Sequence, residues 1–480
     1  MVTILPELGH TFSEYSLMPG YTRRTCILKD ISLETRLHDS LLLKIPFLSA
    51  AMMSVTGYEM ALDLGKEGGL GVLPARLTVD EQVEIVRRIK GYEMGFVEDP
   101  VTVREGDTIE EVLMAIEKYG HSKIPVVDRN NVFKGMFLQS LYWESPVSIQ
   151  EPVDAIMVPF REDGEIPHSN DPNINVDEVK GLLRGNNNNY IVVLDDQGRL
   201  VKLAFKKDVE KINVGVAVTT HRGWEERVER NLGAGVDLIV IDTSDAHNDF
   251  AADVVKAYKS MSSSVPICAG NVVTGEGAMF LMEAGADIIK VGMSTGSICT
   301  TQREKAVGRA PMSALLDVDK ARKEFSHRGK YVPIIVDGGI ASAADMVIAL
   351  SVADVMMMGN YFNRFYEAAG EKLDESGKVT RIEIEMAEVA TWGEASQRGR
   401  NLDRYGHASM KTFFAEGVEG TVPYNGHLKA TLKTDILKIK GALVNAGCQN
   451  LAELRRDAVL ELNSPYAKAV IGNVHDIKTR

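Results

Sequence analysis

One of the four cysteines in this 480-residue chain stands in "GSICTTQREKAVGR", Gly296 to Arg309. Cys299 follows an apolar run, "IIKVG" (288–292), and sits among Gly, Ser and Thr. A thiolate attacks electron-poor carbon well, and N–H donors in a polar loop favour that form. The other reading is an inert buried thiol, the usual state of a cysteine. Position alone leaves both open. Two acidic residues also end apolar runs: Asp242 in "LIVID" and Asp337 in "PIIVDGG". A carboxylate accepts two hydroxyl hydrogen bonds and so suits a ribose diol; each could equally cap a following helix. Glycines after the last two runs, Gly338–Gly339 and Gly359–Asn360, could offer backbone N–H groups to a phosphate or merely turn the chain.

A scaffold must bring these residues together. Eight short apolar runs are legible: "PFLSAAM" (46–52), "GGLGVL" (68–73), "VGVAV" (214–218), "LIVID" (238–242), "PICAGN" (266–271), "IIKVG" (288–292), "PIIVDGG" (333–339) and "VMMMGN" (355–360). Continuous apolar runs suit parallel strands buried on both faces. Helical patterns such as "VVKAYKSM" and "GEGAMFLMEAGA" separate most of them. The alternation predicts an α/β fold, a (β/α)8 TIM barrel, with its active site at the C-terminal ends of the strands. Asn271 and Gly292 fall at such ends too. "GEG" (275–277) is too short for a dinucleotide fingerprint and is expected to begin a helix.

The second and third runs stand roughly 140 residues apart, beyond any ordinary loop. Within the gap, "KIPVVDRNNVFKGMF" from Lys123 and "YIVVLDDQGRLVKLAF" from Tyr190 each read strand, turn, strand after a helical stretch. A tandem repeat is expected at 96–207, inserted between a first barrel part, 1–95, and a second, 208–480. "NNNN" (186–189) reads as a polar turn. The segment 365–480 reads as helix mixed with loop, including lid-like stretches rich in Gly and charge.

The formal charge of −13 argues against broad nucleic-acid or anionic-membrane binding, though not against a local phosphate pocket. The N-terminus lacks the pattern of a signal peptide, and the most apolar window is too short to span a bilayer. Cys26, Cys268, Cys299 and Cys448 are widely spaced, which fits a reducing compartment and no structural zinc. A cytoplasmic location is expected.

"GNVVTGEG", "VGMSTGSICTTQ", "DGGI", "MMMGNYF", "RNLDRYG" and "EGVEGTVPYNG" occur in this order. Together they resemble the IMP dehydrogenase family over nearly the whole chain, and the inserted repeat resembles that family's pair of CBS modules. The resemblance implies NAD-dependent oxidation of IMP to xanthosine 5′-monophosphate. Cys299 would attack purine C2, hydride would pass to the nicotinamide, and water would hydrolyse the resulting thioimidate. Arg404 and Tyr405 match the lid pair that activates water, Thr301 matches a threonine that holds it, and Glu416 would be the relay partner. IMP would place its phosphate on Ser297, Gly338, Gly339, Gly359 and Asn360, and its ribose on Asp337. Its base would meet Met52 and the backbone of Gly393 and Glu394. NAD would use Asp242, Asn271 and Gly292. A potassium ion would take carbonyls around Ser294, Gly296 and Cys299. The family's adenine nucleotide at the CBS repeat and its homotetramer are further implications.

This chain departs from the family pattern in four places. Ser294 replaces the middle glycine of G-x-G-x-G, and serine tolerates fewer backbone angles. Thr391 stands for a phosphate-binding tyrosine, Ala395 for a glycine, and "IGN" (471–473) for the Glu-Gly-Gly of the potassium site. Two rival readings remain. GMP reductase uses the same cysteine with NADPH and does not need the Arg404–Tyr405 lid. The other rival is a catalytically inactive nucleotide sensor.

Overall fold

The computed structural model describes residues 2–92, 96–97, 100–119, 122–144, 147–184, 189–205, 212–261, 264–396, 398, 415–465 and 467. The expected lid pair Arg404–Tyr405, the "IGN" segment and most of "NNNN" lie outside them.

Two compact units result: Met1–Lys90 with Ile212–Arg480, and Gly91–Lys211. The first contains a closed parallel barrel of eight strands, as the alternation predicts. In chain order these are β1 (Phe47–Ser49), β2 (Leu70–Leu73), β3 (Val214–Val218), β4 (Leu238–Asp242), β5 (Ile267–Val272), β6 (Ile288–Val291), β7 (Ile334–Asp337) and β8 (Val355–Met358). β8 pairs back onto β1, Met357 opposite Leu48, and β2 onto β3, Gly71 opposite Val214. One packed cluster takes side chains from all eight strands, among them Leu48, Val72, Ala217, Val240, Cys268 and Met357. The short hairpin Thr35–His38/Leu41–Leu43 adds Leu37, Leu41 and Leu43 to it. The eight apolar runs exist because every strand is covered on both faces.

A device that recurs three times fixes the N-terminal ends of the strands. Asp237, Asp287 and Asp354 stand immediately before β4, β6 and β8. Each accepts the N–H at the start of a neighbouring strand: Val214 at 2.9 Å, Ile267 at 3.1 Å and Ile334 at 2.8 Å. Each also meets a cation on a covering helix: Lys90 on Val79–Lys90, Lys259 on Asp249–Met261 and Arg322 on Pro311–Ser326. The carboxylate thus satisfies an otherwise orphaned backbone donor while its own charge is balanced.

The "GEG" stretch opens the helix Gly275–Ala284, capped by the Thr274 hydroxyl. The reading of 365–480 as helix and loop needs correction. Lys372–Leu373, Glu388–Trp392 and Glu419–Pro423 form a three-stranded antiparallel sheet, followed by helices Leu428–Ala446 and Leu451–Asp457. The edge strand Glu419–Pro423 is almost wholly solvated and has no apolar alternation, so its pairing leaves no pattern to read.

In the second unit, strands Lys123–Val127 and Phe133–Leu138 belong to a four-stranded sheet with helix Ile109–Tyr119. Strands Tyr190–Leu194 and Leu200–Phe205 belong to a three-stranded sheet with helix Val176–Arg184. The two repeats share a core of Val127, Phe133 and Met136 from one copy and Tyr190, Val192 and Leu200 from the other.

Candidate active site

A cavity of about 440 Å³ lies at the C-terminal ends of the barrel strands. Every described residue of the expected site lines it. Met52, Gly359 and Asn360 come from the segments after β1 and β8, and Asp242 and Asn271 from β4 and β5. Gly292, Ser294, Gly296, Ser297, Cys299 and Thr301 come from the loop and helix after β6. Asp337, Gly338 and Gly339 close β7, while Gly393, Glu394 and Glu416 come from the C-terminal segment. Sequence positions more than 350 residues apart thus meet because a closed barrel gathers all its strand tips at one end.

Cys299 is partly exposed, and its Sγ lies 3.3 Å from Thr301 Oγ1. The other three cysteines are buried, which separates this thiol from the inert reading. The loop carrying it is pinned on two sides. Thr295 Oγ1 donates to the Asp337 carbonyl at 2.7 Å, and the Cys299 N–H donates to the Gly296 carbonyl at 3.1 Å. On the other side, Thr300 N–H donates to Glu416 O and Val418 N–H to Ile298 O, both at 3.0 Å. Gly393 N–H in turn reaches Val418 O at 3.0 Å, and Glu416 N–H reaches Ala395 O at 3.0 Å. Three chain segments therefore lie side by side around the thiol. The Glu416 carboxylate is 2.8 Å from Lys305 Nζ.

Close approach explains the glycine that opens this loop. Gly292 has φ +147, and a Cβ there would sit 2.2 Å from the Asp337 carbonyl oxygen, so no side chain fits between β6 and β7. Ser294 adopts φ 61, the left-handed conformation that a glycine takes most readily. Its hydroxyl donates to the Val307 carbonyl at 3.0 Å, a bond no glycine could make. Gly338 N–H donates to Met357 O at 3.1 Å. Its N–H is thus engaged by β8 and is not the anion-binding donor that the sequence suggested.

Sequence reasoning missed three groups. Lys290, in the middle of β6, is 1 % exposed and its Nζ is 2.9 Å from both Asp242 Oδ1 and Asp337 Oδ2. Burial alone would lower the pKa of this ammonium; the two carboxylates outweigh that and raise it. A charged residue inside a doubly covered strand was the available signal. Arg76, after β2, pairs with Glu394, Nε to Oε2 at 2.6 Å, while Glu394 Oε1 accepts the Met53 N–H at 2.8 Å. This joins the Gly393–Glu394 segment to the loop after β1. Thr295 carried no signal beyond a polar loop.

Among the described residues, no helix is long and apolar enough to cross a membrane, and no cluster of three or more His, Cys, Asp or Glu is placed to hold a metal ion.

Residues 9–475 match the IMP dehydrogenase / GMP reductase domain. The inosine-5′-monophosphate dehydrogenase of Tritrichomonas foetus is 32% identical over 98% of this chain and 96% of its own length. That of Aquifex aeolicus is also 32% identical, with the same coverage. A crystal structure of a GMP reductase variant from Trypanosoma brucei with guanosine 5′-monophosphate superimposes with a TM-score of 0.69. It shares 24% identity and covers 98% of both chains, a likeness of fold.

Proposed function

The chain belongs to the IMP dehydrogenase / GMP reductase family, and from that premise we propose that it oxidises IMP to xanthosine 5′-monophosphate with NAD, through a covalent bond to Cys299. The observation that carries this reading is the partly exposed thiol in one cavity with two strand-tip aspartates, Asp242 and Asp337.

Cys299 Sγ bonds to purine C2, the carbon that loses hydride, and water then breaks the C–S bond and supplies the product's C2 oxygen. NAD, when bound, supplies the nicotinamide that takes the hydride. Covalent capture divides a difficult oxidation into two smaller steps. Asp337 accepts the ribose hydroxyls of IMP, and Asp242 with Asn271 accepts those of the dinucleotide. Gly292, at the end of β6, borders the nicotinamide half. Ser297, Gly339, Gly359 and Asn360 surround the phosphate, and Met52, Gly393 and Glu394 bound the base. Thr301, within hydrogen-bond reach of the thiol, positions the hydrolytic water with Glu416, and Arg404–Tyr405 take its proton.

The donor set around Cys299 fits a potassium ion. The carbonyls of Ser294, Gly296 and Cys299 are hard oxygen ligands, and a carbonyl that already accepts one N–H, as Gly296 does, keeps a second lone pair. The ion would hold the loop that bears the nucleophile. The same reading makes the enzyme a cytoplasmic homotetramer whose CBS repeat takes an adenine nucleotide.

Mass spectrometry of the protein quenched during turnover with IMP and NAD tests the reading, the expected result being a nucleotide adduct on Cys299. NADPH consumption with GMP, without NADH formation from IMP, would replace it with the reductase.

A further inference from the structure

An ammonium is not buried in a barrel without compensation. Lys290 Nζ donates to Asp242 on β4 and Asp337 on β7, each at 2.9 Å, and to Asn271 Oδ1 on β5. Asn271 Nδ2 completes the set by donating to Asp337 Oδ2 at 3.0 Å. Gly270 makes the room: a Cβ there would lie 2.5 Å from Lys290 Cβ. Asp242, Asn271 and Asp337 line the cavity and Lys290 does not, so the cation reaches the site only through them.

We infer that Lys290 is a positioning residue that couples the two nucleotide subsites, holding Asp242 and Asp337 on one shared ammonium. This rests on the functional reading above, in which Asp337 serves IMP and Asp242 serves NAD. Two carboxylates face one cation, so whatever weakens the hold of one lets the ammonium bind the other more fully. A carboxylate more fully neutralised is a poorer acceptor for ribose hydroxyls. The strength of the IMP site therefore depends on the state of an aspartate assigned to the dinucleotide, and linkage makes that dependence reciprocal.

Calorimetric titration of IMP alone and NAD alone tests this on the full chain and on Lys290→Met, Asp242→Asn and the double variant. Lys290→Met should weaken both nucleotides by roughly tenfold or more, because both aspartates lose the contact that orients them, a loss larger than any gain in acceptor strength. In turnover both KM values should rise more than kcat falls. Asp242→Asn should weaken IMP by roughly fivefold, although Asp242 is assigned to NAD. That cross-effect should vanish in the Lys290→Met background. Loss of a single nucleotide in Lys290→Met, or IMP affinity untouched by Asp242→Asn, overturns the inference. Should Lys290→Met not fold, the cross-effect of Asp242→Asn on IMP decides alone. Failure of the unmodified chain to bind either nucleotide is a different result, which overturns the functional reading itself.

Discussion

The two ends of this barrel use buried ion pairs in opposite ways. At the N-terminal end, carboxylates are matched or outnumbered by cations. Asp354, 1 % exposed, meets Arg322 at 2.8 Å and Arg455 at 3.3 Å, and Tyr331 OH donates to it at 2.8 Å. Asp287 meets Lys259 at 2.9 Å and Lys330 at 3.2 Å. At the C-terminal end, Asp242 and Asp337 share Lys290. The first arrangement leaves nothing for a ligand to do and reads as stability. The second leaves acceptor capacity facing a cavity. The same residue types become structure or site according to whether they fasten a strand start to its covering helix or line the cavity.

The largest expected effect separates the ends most sharply. Cys299→Ala should lower NADH formation from IMP and NAD by roughly 10³-fold or more, with the unfolding transition unchanged. Asp354→Ala, at the other end, should do the reverse. It removes one of the two carboxylates that answer buried Arg322 and the acceptor of the buried Ile334 N–H, for a cost of about 3–5 kcal/mol. Denaturant unfolding measures that loss, and KM for both nucleotides should stay as it was. A changed KM in Asp354→Ala would break the division between the ends.

Acid sharpens the contrast. Burial alone would raise the pKa of Asp287, but the Lys259 hydrogen bond and the Ile267 N–H outweigh it, so the carboxyl sits below its usual range. Its folded pKa is depressed, so its contribution to stability is present above the unfolded value, about 3.9, and is lost as pH falls through the folded one. Lys290 has the opposite sign. Its raised pKa gives a contribution present below the unfolded lysine value, about 10.4, and lost only as pH rises through the folded one. Lys259→Met should therefore move the acid-unfolding midpoint, followed by circular dichroism, to higher pH. An unmoved midpoint would mean that Lys330 and the Ile267 N–H suffice to hold Asp287.

These particulars show what the sequence could and could not reveal. The eight strands were legible because each is covered on both faces and reads as an unbroken apolar run. The strand-tip residues were legible because a parallel barrel has one functional end. Lys290 was hidden inside the very run, "IIKVG", that identified its strand, since one charge barely disturbs an apolar average. The three aspartates of the N-terminal end were equally hidden. "GVDLIV", "GADIIK" and "VADVMM" repeat a carboxylate directly before a strand, yet an aspartate there looks like loop polarity until its backbone partner is known. The sheet after 365 left no trace because pairing of a solvated edge strand is written in its partner's backbone.

Ser294 probes the rim of the site more gently. Its left-handed backbone costs what its bond to Val307 returns, and Gly308 clears the space, since a Cβ at 308 would lie 2.9 Å from Ser294 Cβ. Ser294→Gly should relax the backbone and lose the hydrogen bond together, for a net change within about 1 kcal/mol. Gly308→Ala should cost more and quicken alkylation of Cys299 as the loop loosens. Equal effects from the two variants would mean that the Ser294 side chain is not what fastens the loop.

The smallest effect is expected from the largest change. The barrel unit stops at Lys90 and resumes at Ile212, and Lys90 Nζ donates to the Ile212 carbonyl at 2.7 Å. The two cut ends thus lie within one side chain of each other, close enough for a few glycines to join. All the described cavity residues belong to the barrel unit, and so do the ion pairs at both its ends. Replacing 91–211 by a short glycine linker should leave kcat/KM for IMP and NAD within roughly threefold, measured by NADH absorbance. Loss of turnover in a variant that still unfolds cooperatively would show that the insert sustains the functional end of the barrel. The division between a self-sufficient site and a self-sufficient base would then fail at the top and hold at the bottom.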